Sequence, residues 1–276
     1  MSVGVIMYKI KYINNYYMNL NKNSKIILSF LFFSLLVFFL SRTNELFNTK
    51  THDWNELFDG ILFINLNDRK DRLESVHNEF KKYNVNDKLI NRISAIKNSQ
   101  CGHIGCAESH IKAMKFAKEK KWNRTLILED DFTFSMEKDK IFESLRNFYK
   151  NNNNWDVVLL GLGTANNKHK YDKTEIEGVV KLKHCTTAIG YVVNNKYIDT
   201  LMNNFSDSLN LMKEELNIKL KNDPNHYMNF TNNAIDQRWN ILIKKDNFYL
   251  FDPFILKTRL SKSSIDKLDI IYNKLK

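Results

Sequence analysis

Short apolar runs alternate with segments of helical spacing along the chain from residue 59 onward. Five runs rich in aliphatic and β-branched residues predict buried strands, at 61–66, 89–96, 125–130, 155–161 and 188–193. Apolar residues recur every three to four positions in the segments between and after them, which predicts helices at 67–83, 106–121, 138–150, 195–220 and 232–245. This alternation predicts an α/β fold with an open, mostly parallel sheet and helices on both faces.

One apolar segment stands apart from this pattern. Residues 26–40 contain no charged side chain, and the four charged residues before them are all lysines. This predicts a transmembrane signal anchor at 26–41, a single pass of type II topology. In a eukaryotic cell the domain would then face a lumen of endoplasmic reticulum or Golgi type. A cleaved signal peptide is the alternative, but no small-residue cleavage site follows the segment. The predicted organisation is a cytosolic tail at 1–25, the anchor at 26–41, a stem at 42–58, a catalytic domain at 59–260 and a tail at 261–276.

The composition narrows the class of protein. The 276 residues are 43% hydrophobic and 26% charged, which is typical of a globular chain. The net charge of +11 comes from dispersed lysines rather than from an arginine-rich block, so we expect no nucleic acid partner. Three cysteines do not indicate a disulfide framework.

The strand at 125–130 runs into three consecutive acids, Glu129, Asp130 and Asp131. Ligands of open α/β sheets bind outside the carboxyl ends of the strands, where these acids are expected. Crowded carboxylates are costly unless a cation compensates them, and oxygen ligands select Mn²⁺ or Mg²⁺. Such ions usually bridge to phosphate groups, which points to a nucleoside diphosphate. A turn with solvated acids is the alternative interpretation.

A second cluster of candidate ligands precedes the triplet. Cys101, His103, Cys106 and His110 lie within ten residues, and Cys106 and His110 are one helical turn apart. A zinc site is one interpretation, although the spacing is tighter than in common zinc modules. The other interpretation packs Cys106 in the core and leaves His110 to line a ligand site.

Six motifs in order resemble glycosyltransferase family 25, which includes lipooligosaccharide and collagen galactosyltransferases. They are FINLNDRKDRLESV, GHIGCAESHIKAMKFA, LILEDDF, WDVVLLG, TTAIGYVVNNKYIDTLM and IDQRWN, and they span about residues 60–257. The resemblance implies a GT-A-type fold and a transferase that moves galactose or glucose from a UDP-sugar to a hydroxyl of a glycan or protein. It also implies Mn²⁺ (or Mg²⁺) and inversion at the anomeric carbon, whereas the membrane anchor is predicted from residues 26–41 and not from the resemblance.

The resemblance also implies roles for individual residues. Asp131 matches a metal ligand, and Asp236 matches a later acidic motif and is the candidate catalytic base. Ser109 and His110 are expected in the first turn of a helix, where free N–H groups favour an anion. The residues expected to bind the nucleotide sugar are Asn65, Asp68, Arg69, Arg72, Ser109, His110, Glu129 and Asp130.

Two other functions remain open from the sequence. The domain could be a degenerate transferase that only binds a partner, in which case nucleotide binding would be absent. It could also be a metal-dependent phosphoesterase that uses the same acids, in which case phosphate would be released without sugar transfer.

Overall fold

The computed structural model describes residues 21–47, 52–163, 169–187 and 189–259. The chain divides into two compact units, Met1–Thr51 and His52–Lys276. The predicted tail at 261–276 and most of the predicted tail at 1–25 lie outside the described residues.

The described residues of the first unit, 21–47, form helix α1 (Lys22–Phe47), which includes the predicted anchor. Its large apolar side chains are exposed within the unit, for example Phe30 and Phe32. Among the described residues, no helix combines the length and the hydropathy needed to cross a membrane. The transmembrane anchor is therefore not confirmed and stays a prediction.

The second unit begins earlier than residue 59, where we expected it. A short 3₁₀-helix, Trp54–Glu56, opens it, and Trp54, Leu57 and Phe58 are buried in the core. The Trp54 indole N–H donates to the carbonyl of Tyr83. Residues 52–58 therefore pack as part of the folded domain and do not form an extended stem.

An eight-stranded sheet forms the centre of this domain, in the order β2-β1-β3-β8-β5-β9-β7-β6. Its strands are β1 (Gly60–Asn65), β2 (Ile90–Ser94), β3 (Arg124–Glu129), β5 (Val157–Gly161), β6 (Lys170–Lys173), β7 (Val179–His184), β8 (Gly190–Asn194) and β9 (Phe248–Phe251). The pairings make six strands run in one direction, with β7 and β8 opposed. The expected mostly parallel sheet is confirmed.

Three features of the sheets differ from the expectation. Strand β8, which the run at 188–193 predicted, lies antiparallel between β3 and β5 in a sheet that was expected to be mostly parallel. The β6–β7 hairpin was not predicted, because β6 is exposed and lacks an apolar pattern. A second sheet pairs β4 (Phe132–Phe134) with β10 (Leu256–Thr258) directly after the acidic triplet.

Helices cover both faces of the large sheet, as predicted. The helices of this domain are α2 (Lys70–Lys82), α3 (Gly102–Glu119), α4 (Lys138–Asn151), α5 (Ile198–Asn222), α6 (Ile235–Arg238) and α7 (Asn240–Ile243). Apolar residues of α2 and α4 share one core with alternate residues of the strands. Those of α3, α5, α6 and α7 share the other core, on the opposite face. Successive side chains of each strand point to opposite faces of the sheet, so each strand contributes residues to both cores.

Two helix boundaries differ from the expectation. Helix α3 begins at Gly102 rather than at Cys106, because Asn98 Oδ1 accepts the N–H groups of Gln100 and Cys101 and turns the chain early. The predicted helix at 232–245 is two short helices, which meet at Trp239. Trp239 is fully buried in the core, and its indole donates to the carbonyl of Cys185 at 2.9 Å.

Candidate active site

The acidic triplet lies at the carboxyl edge of the large sheet. Glu129 ends β3, and Asp130 and Asp131 form the two-residue turn into β4. Because β1 runs parallel to β3, Asn65 at the end of β1 lies at the same edge. The sheet thus places polar side chains from the ends of its central strands together at one edge, which is the expected place for a ligand pocket in such sheets.

Asp130 is the buried centre of a hydrogen-bond network. Its Oδ1 accepts from the Arg72 guanidinium at 2.6 Å, and its Oδ2 accepts from the Asn65 amide at 2.7 Å. Both Asp130 and Arg72 are buried. Each carboxylate oxygen of Asp130 therefore has a partner within the protein, which makes Asp130 a residue that positions the turn.

Asp131 lies beside this network, but fewer protein groups stabilise the negative charge of its carboxylate. Its Oδ2 is 3.3 Å from the Arg72 guanidinium, while its buried Oδ1 has no hydrogen-bond partner. Burial raises the pKa of Asp131 to about 7, and the charge of Glu129 adds to this, although Arg72 opposes it. An orphaned buried carboxylate oxygen fits a cation ligand, as we expected for Asp131.

Glu129 points toward helix α3. Its Oε1 lies 3.7 Å from Nε2 of His110, which is beyond hydrogen-bond distance. Burial raises the pKa of Glu129 to about 8, and the charges of Asp130 and Asp236 contribute. The protein therefore also stabilises the charged form of the Glu129 carboxylate poorly.

His110 is buried against the sheet. Its Nδ1 lies 3.0 Å from the Tyr191 hydroxyl, and burial lowers its pKa to about 4, so the ring is neutral at neutral pH. Cys106 lies one turn earlier in the same helix and is a free thiol. Ligand atoms of Cys106, His110 and Glu129 all lie within 4.8 Å of one another.

Asp236 completes the acidic lining of the pocket from α6. Its Oδ2 accepts the Thr187 N–H at 2.9 Å, and burial raises its pKa. Thr187 has a φ of 94°, a strained value for a β-branched residue, and its hydroxyl accepts the Gly163 N–H. No sequence pattern pointed to Thr187, since its role rests on its backbone.

The remaining predicted residues fall into two groups. Asn65 lies in the pocket, and its Oδ1 accepts from Arg92, a residue that the sequence reasoning missed. Asp68 pairs with Lys97, outside the acidic cluster. Arg69 pairs with Asp71, which raises the pKa of Arg69, and the charges of Asp130 and Asp131 add to this.

The expectation for Ser109 and His110 in the first helical turn was wrong. With α3 beginning at Gly102, both residues lie in later turns, where backbone N–H groups bond within the helix. The Ser109 hydroxyl donates to the carbonyl of Gly105 and accepts the Ile96 N–H at 2.8 Å. Ser109 therefore fixes α3 to the segment after β2.

The four-residue zinc hypothesis is only partly supported by the geometry. Cys106 and His110 come together with Glu129, and Cys101 and His103 are not part of that group. Cys101 is buried at the start of α3, and His103 Nε2 lies 3.1 Å from the carbonyl of Asn229.

The sequence of this chain is similar to those of known glycosyltransferases. Residues 87–216 match the family model described as "Glycosyltransferase family 25 (LPS biosynthesis protein)". Human procollagen galactosyltransferase 2 is 23% identical over 163 residues, covering 50% of this chain and 26% of that protein. The mouse protein of the same name is 25% identical over 129 residues, covering 38% and 21%. The chain thus spans about a quarter of the length of these relatives.

Solved structures were compared in the same way. A glycosyltransferase involved in glycosylation of the major capsid of PBCV-1 has a TM-score of 0.35 at 10% identity, covering 74% of this chain and 94% of that one. A mannose-1-phosphate geranyltransferase from Thermus thermophilus has a TM-score of 0.37 at 10% identity, covering 72% and 58%. Likenesses at this level add no weight to the assignment.

The sequence match defines a domain of the glycosyltransferase class. More narrowly, residues 87–216 are similar to glycosyltransferase family 25, and the resemblance expected from the motifs is confirmed.

Proposed function

We propose that this domain transfers a hexose from a UDP-sugar to a hydroxyl group of a glycan or protein, with inversion and with a divalent cation. The observation that carries the proposal is the convergence of Glu129, Asp131 and Asp236 at the carboxyl edge of the sheet. Burial raises the pKa of all three, so the protein alone does not compensate these acids. In the GT-A-type fold that we propose, this edge is the donor site. The name of the relatives favours galactose as the sugar.

Asp131 is the residue that would hold Mn²⁺ or Mg²⁺. Its buried Oδ1 has no protein partner, and hard divalent cations bind through one or two carboxylates together with substrate phosphates. When bound, such an ion would neutralise the diphosphate as it leaves. Arg72, held by Asp130, keeps Asp131 at the pocket wall.

Asp236 is our candidate for the base that takes the proton of the acceptor hydroxyl. The Thr187 N–H donates to Oδ2 of Asp236 at 2.9 Å and thereby fixes the orientation of the carboxylate. Its raised pKa suits a group that must accept a proton near neutral pH. As the acceptor oxygen forms its bond to the anomeric carbon, the bond to the UDP leaving group breaks.

Membrane anchoring through 26–41 is a separate part of the proposal. The apolar, exposed side chains of α1 support association with a bilayer. Extraction of cell membranes with alkaline carbonate tests it, since an anchored chain stays in the pellet and a peripheral one is released.

The test of the transferase function uses the full chain, Mn²⁺ and a panel of UDP- and GDP-sugars with glycan and hydroxyl-bearing peptide acceptors. Release of UDP together with a mass increase of one hexose on an acceptor would support the proposal. Phosphate release from phosphoesters without sugar transfer would favour a phosphoesterase. Folded, metal-loaded protein that binds none of the nucleotides would favour a binding domain.

A further inference from the structure

Three side chains of different chemistry face one another at the pocket wall beside Asp131. They are the Cys106 thiol, the His110 imidazole and the Glu129 carboxylate, and one ligand atom of each lies within 4.8 Å of the other two. Cys106 and His110 share a face of α3 because they are four residues apart. Glu129 reaches them from the end of β3.

The histidine ring is held in an orientation suited to a metal ligand. Its Nδ1 lies 3.0 Å from the Tyr191 hydroxyl, the two rings are stacked at 5.8 Å, and Phe205 packs edge-on at 6.1 Å. In the tautomer with its proton on Nδ1, the Nε2 lone pair faces Glu129. Metal-binding histidines are commonly fixed in this way through their second nitrogen.

The spacing of the atoms agrees with a shared cation. Nε2 of His110 and Oε1 of Glu129 are 3.7 Å apart, too far for a hydrogen bond. Two ligands on a tetrahedral ion with bonds of about 2.1 Å are separated by roughly 3.4 Å, so this pair needs only a small shift. Cys106 Sγ lies within 4.8 Å of both atoms.

The geometry points to a binding site for a borderline transition-metal ion such as Zn²⁺ or Co²⁺, held by Cys106 Sγ, His110 Nε2 and Glu129 Oε1. Thiolate and imidazole ligands favour such ions, whereas Mn²⁺ and Mg²⁺ favour the oxygens that Asp131 supplies. Three protein ligands leave the fourth position of a tetrahedral ion for a water molecule or a substrate atom. This site shares Glu129 with the acidic cluster of the proposed donor site, but its ligands do not include Asp131, the residue proposed to hold the cation of the donor diphosphate.

Cobalt spectroscopy of the full chain tests the site without any sugar transfer. Metal-free protein is titrated with Co²⁺, and the thiolate-to-cobalt charge-transfer band and the visible bands of tetrahedral Co²⁺ are recorded. We expect both to saturate at one equivalent and to disappear when Zn²⁺ is added. Cys106→Ser should abolish the charge-transfer band and weaken Co²⁺ binding by at least about 100-fold.

Two variants serve as controls. Cys101→Ser changes a buried thiol outside the group and should keep the band, as should Asp131→Asn. A third variant tests how His110 is supported. Tyr191→Phe preserves the ring but removes the hydroxyl, and should weaken Co²⁺ binding about tenfold. Absence of the band in the native protein, its persistence in folded Cys106→Ser, or its loss only in Asp131→Asn would overturn the proposal.

Discussion

Buried and half-buried acids occur at both ends of the large sheet, and their surroundings differ. At the amino end, Asp59 accepts the N–H groups of Asn123 and Arg124, and Asp156 accepts that of Asn247. At the carboxyl end, a buried oxygen of Asp131 has no partner, and Glu129 faces a neutral histidine.

This difference separates acids that stabilise the fold from acids that we propose to bind a ligand. An acid that accepts backbone N–H groups lowers the free energy of the folded chain by itself. An acid without such partners raises it until a cation or substrate arrives, which is typical of functional sites. The comparison therefore predicts which substitutions cost activity and which cost stability.

The largest expected effect concerns activity at the carboxyl end. Asp236→Asn removes the proposed base while keeping an acceptor for the Thr187 N–H. We expect kcat to fall by about 10³-fold, or roughly 4 kcal/mol of transition-state stabilisation, with binding of the donor unchanged. Steady-state kinetics and nucleotide calorimetry measure the two quantities, and Asp156→Asn at the amino end is the control. Equal losses of kcat in both variants would contradict the distinction between the two ends.

The second effect concerns the ion pair beneath the triplet. Arg72→Met leaves Asp130 buried with only Asn65 as a partner, so we expect the free energy of unfolding to fall by about 3 kcal/mol. Arg146→Met breaks the more exposed pair with Glu56 and should cost less than about 1 kcal/mol. Urea denaturation of both variants makes the comparison, and similar losses would show that burial of the Arg72 pair carries no special weight.

A pH dependence follows from the raised pKa of Glu129. The unfolded chain loses this proton near pH 4.5 and the metal-free folded chain near 8, so the folded state holds more protons in between and loses stability as pH rises. His110 acts in the opposite direction, but only between about 4 and 6.5. Between pH 6.5 and 8 we therefore expect a loss of about 1 to 2 kcal/mol, with a smaller part from Asp131.

Urea denaturation with a chelator at several pH values measures this slope. Glu129→Gln should remove most of it, whereas Glu56→Gln, an exposed acid, should leave it unchanged. A slope of the opposite sign in the metal-free protein would show that Glu129 is ionised and compensated in the folded state.

The smallest effect concerns Ser109, a predicted ligand of the nucleotide sugar. Both hydrogen bonds of its hydroxyl stay within the protein, so Ser109→Ala should cost about 1 kcal/mol of stability and leave KM for the donor unchanged. Thermal denaturation and donor kinetics check this. A raised KM at unchanged stability would restore Ser109 to the binding site.

The fold was predictable where one feature of the sequence decided the outcome. The buried strands β1, β3 and β5 follow from their apolar runs, and helix α4 matches its predicted segment within one residue. The direction of β8 was not predictable, because an apolar run looks the same in a parallel and an antiparallel strand. The start of α3 depends on the side chain of Asn98, which the apolar pattern does not register.

The acids of the candidate site were predictable, and so were Asn65, Arg72 and His110, which match the family motifs. The triplet and Asp236 stand out by residue type and family motif, whereas Tyr191 looks like an ordinary strand residue. Arg92 and Thr187 reach the pocket through tertiary contacts across 27 and 49 positions of sequence, respectively. The hydrogen-bond and ion-pair partners of each acid decide its role, and only the structure shows these partners.

The central claim is that Asp131 binds a divalent cation together with the diphosphate of the sugar donor. The most direct test is calorimetric titration of the full chain with UDP-galactose and UDP-glucose, with and without Mn²⁺, for the native protein, Asp131→Asn and Asp156→Asn. The account predicts metal-dependent binding that is lost in Asp131→Asn and retained in Asp156→Asn. Binding that is independent of metal, or unchanged in folded Asp131→Asn, would contradict it.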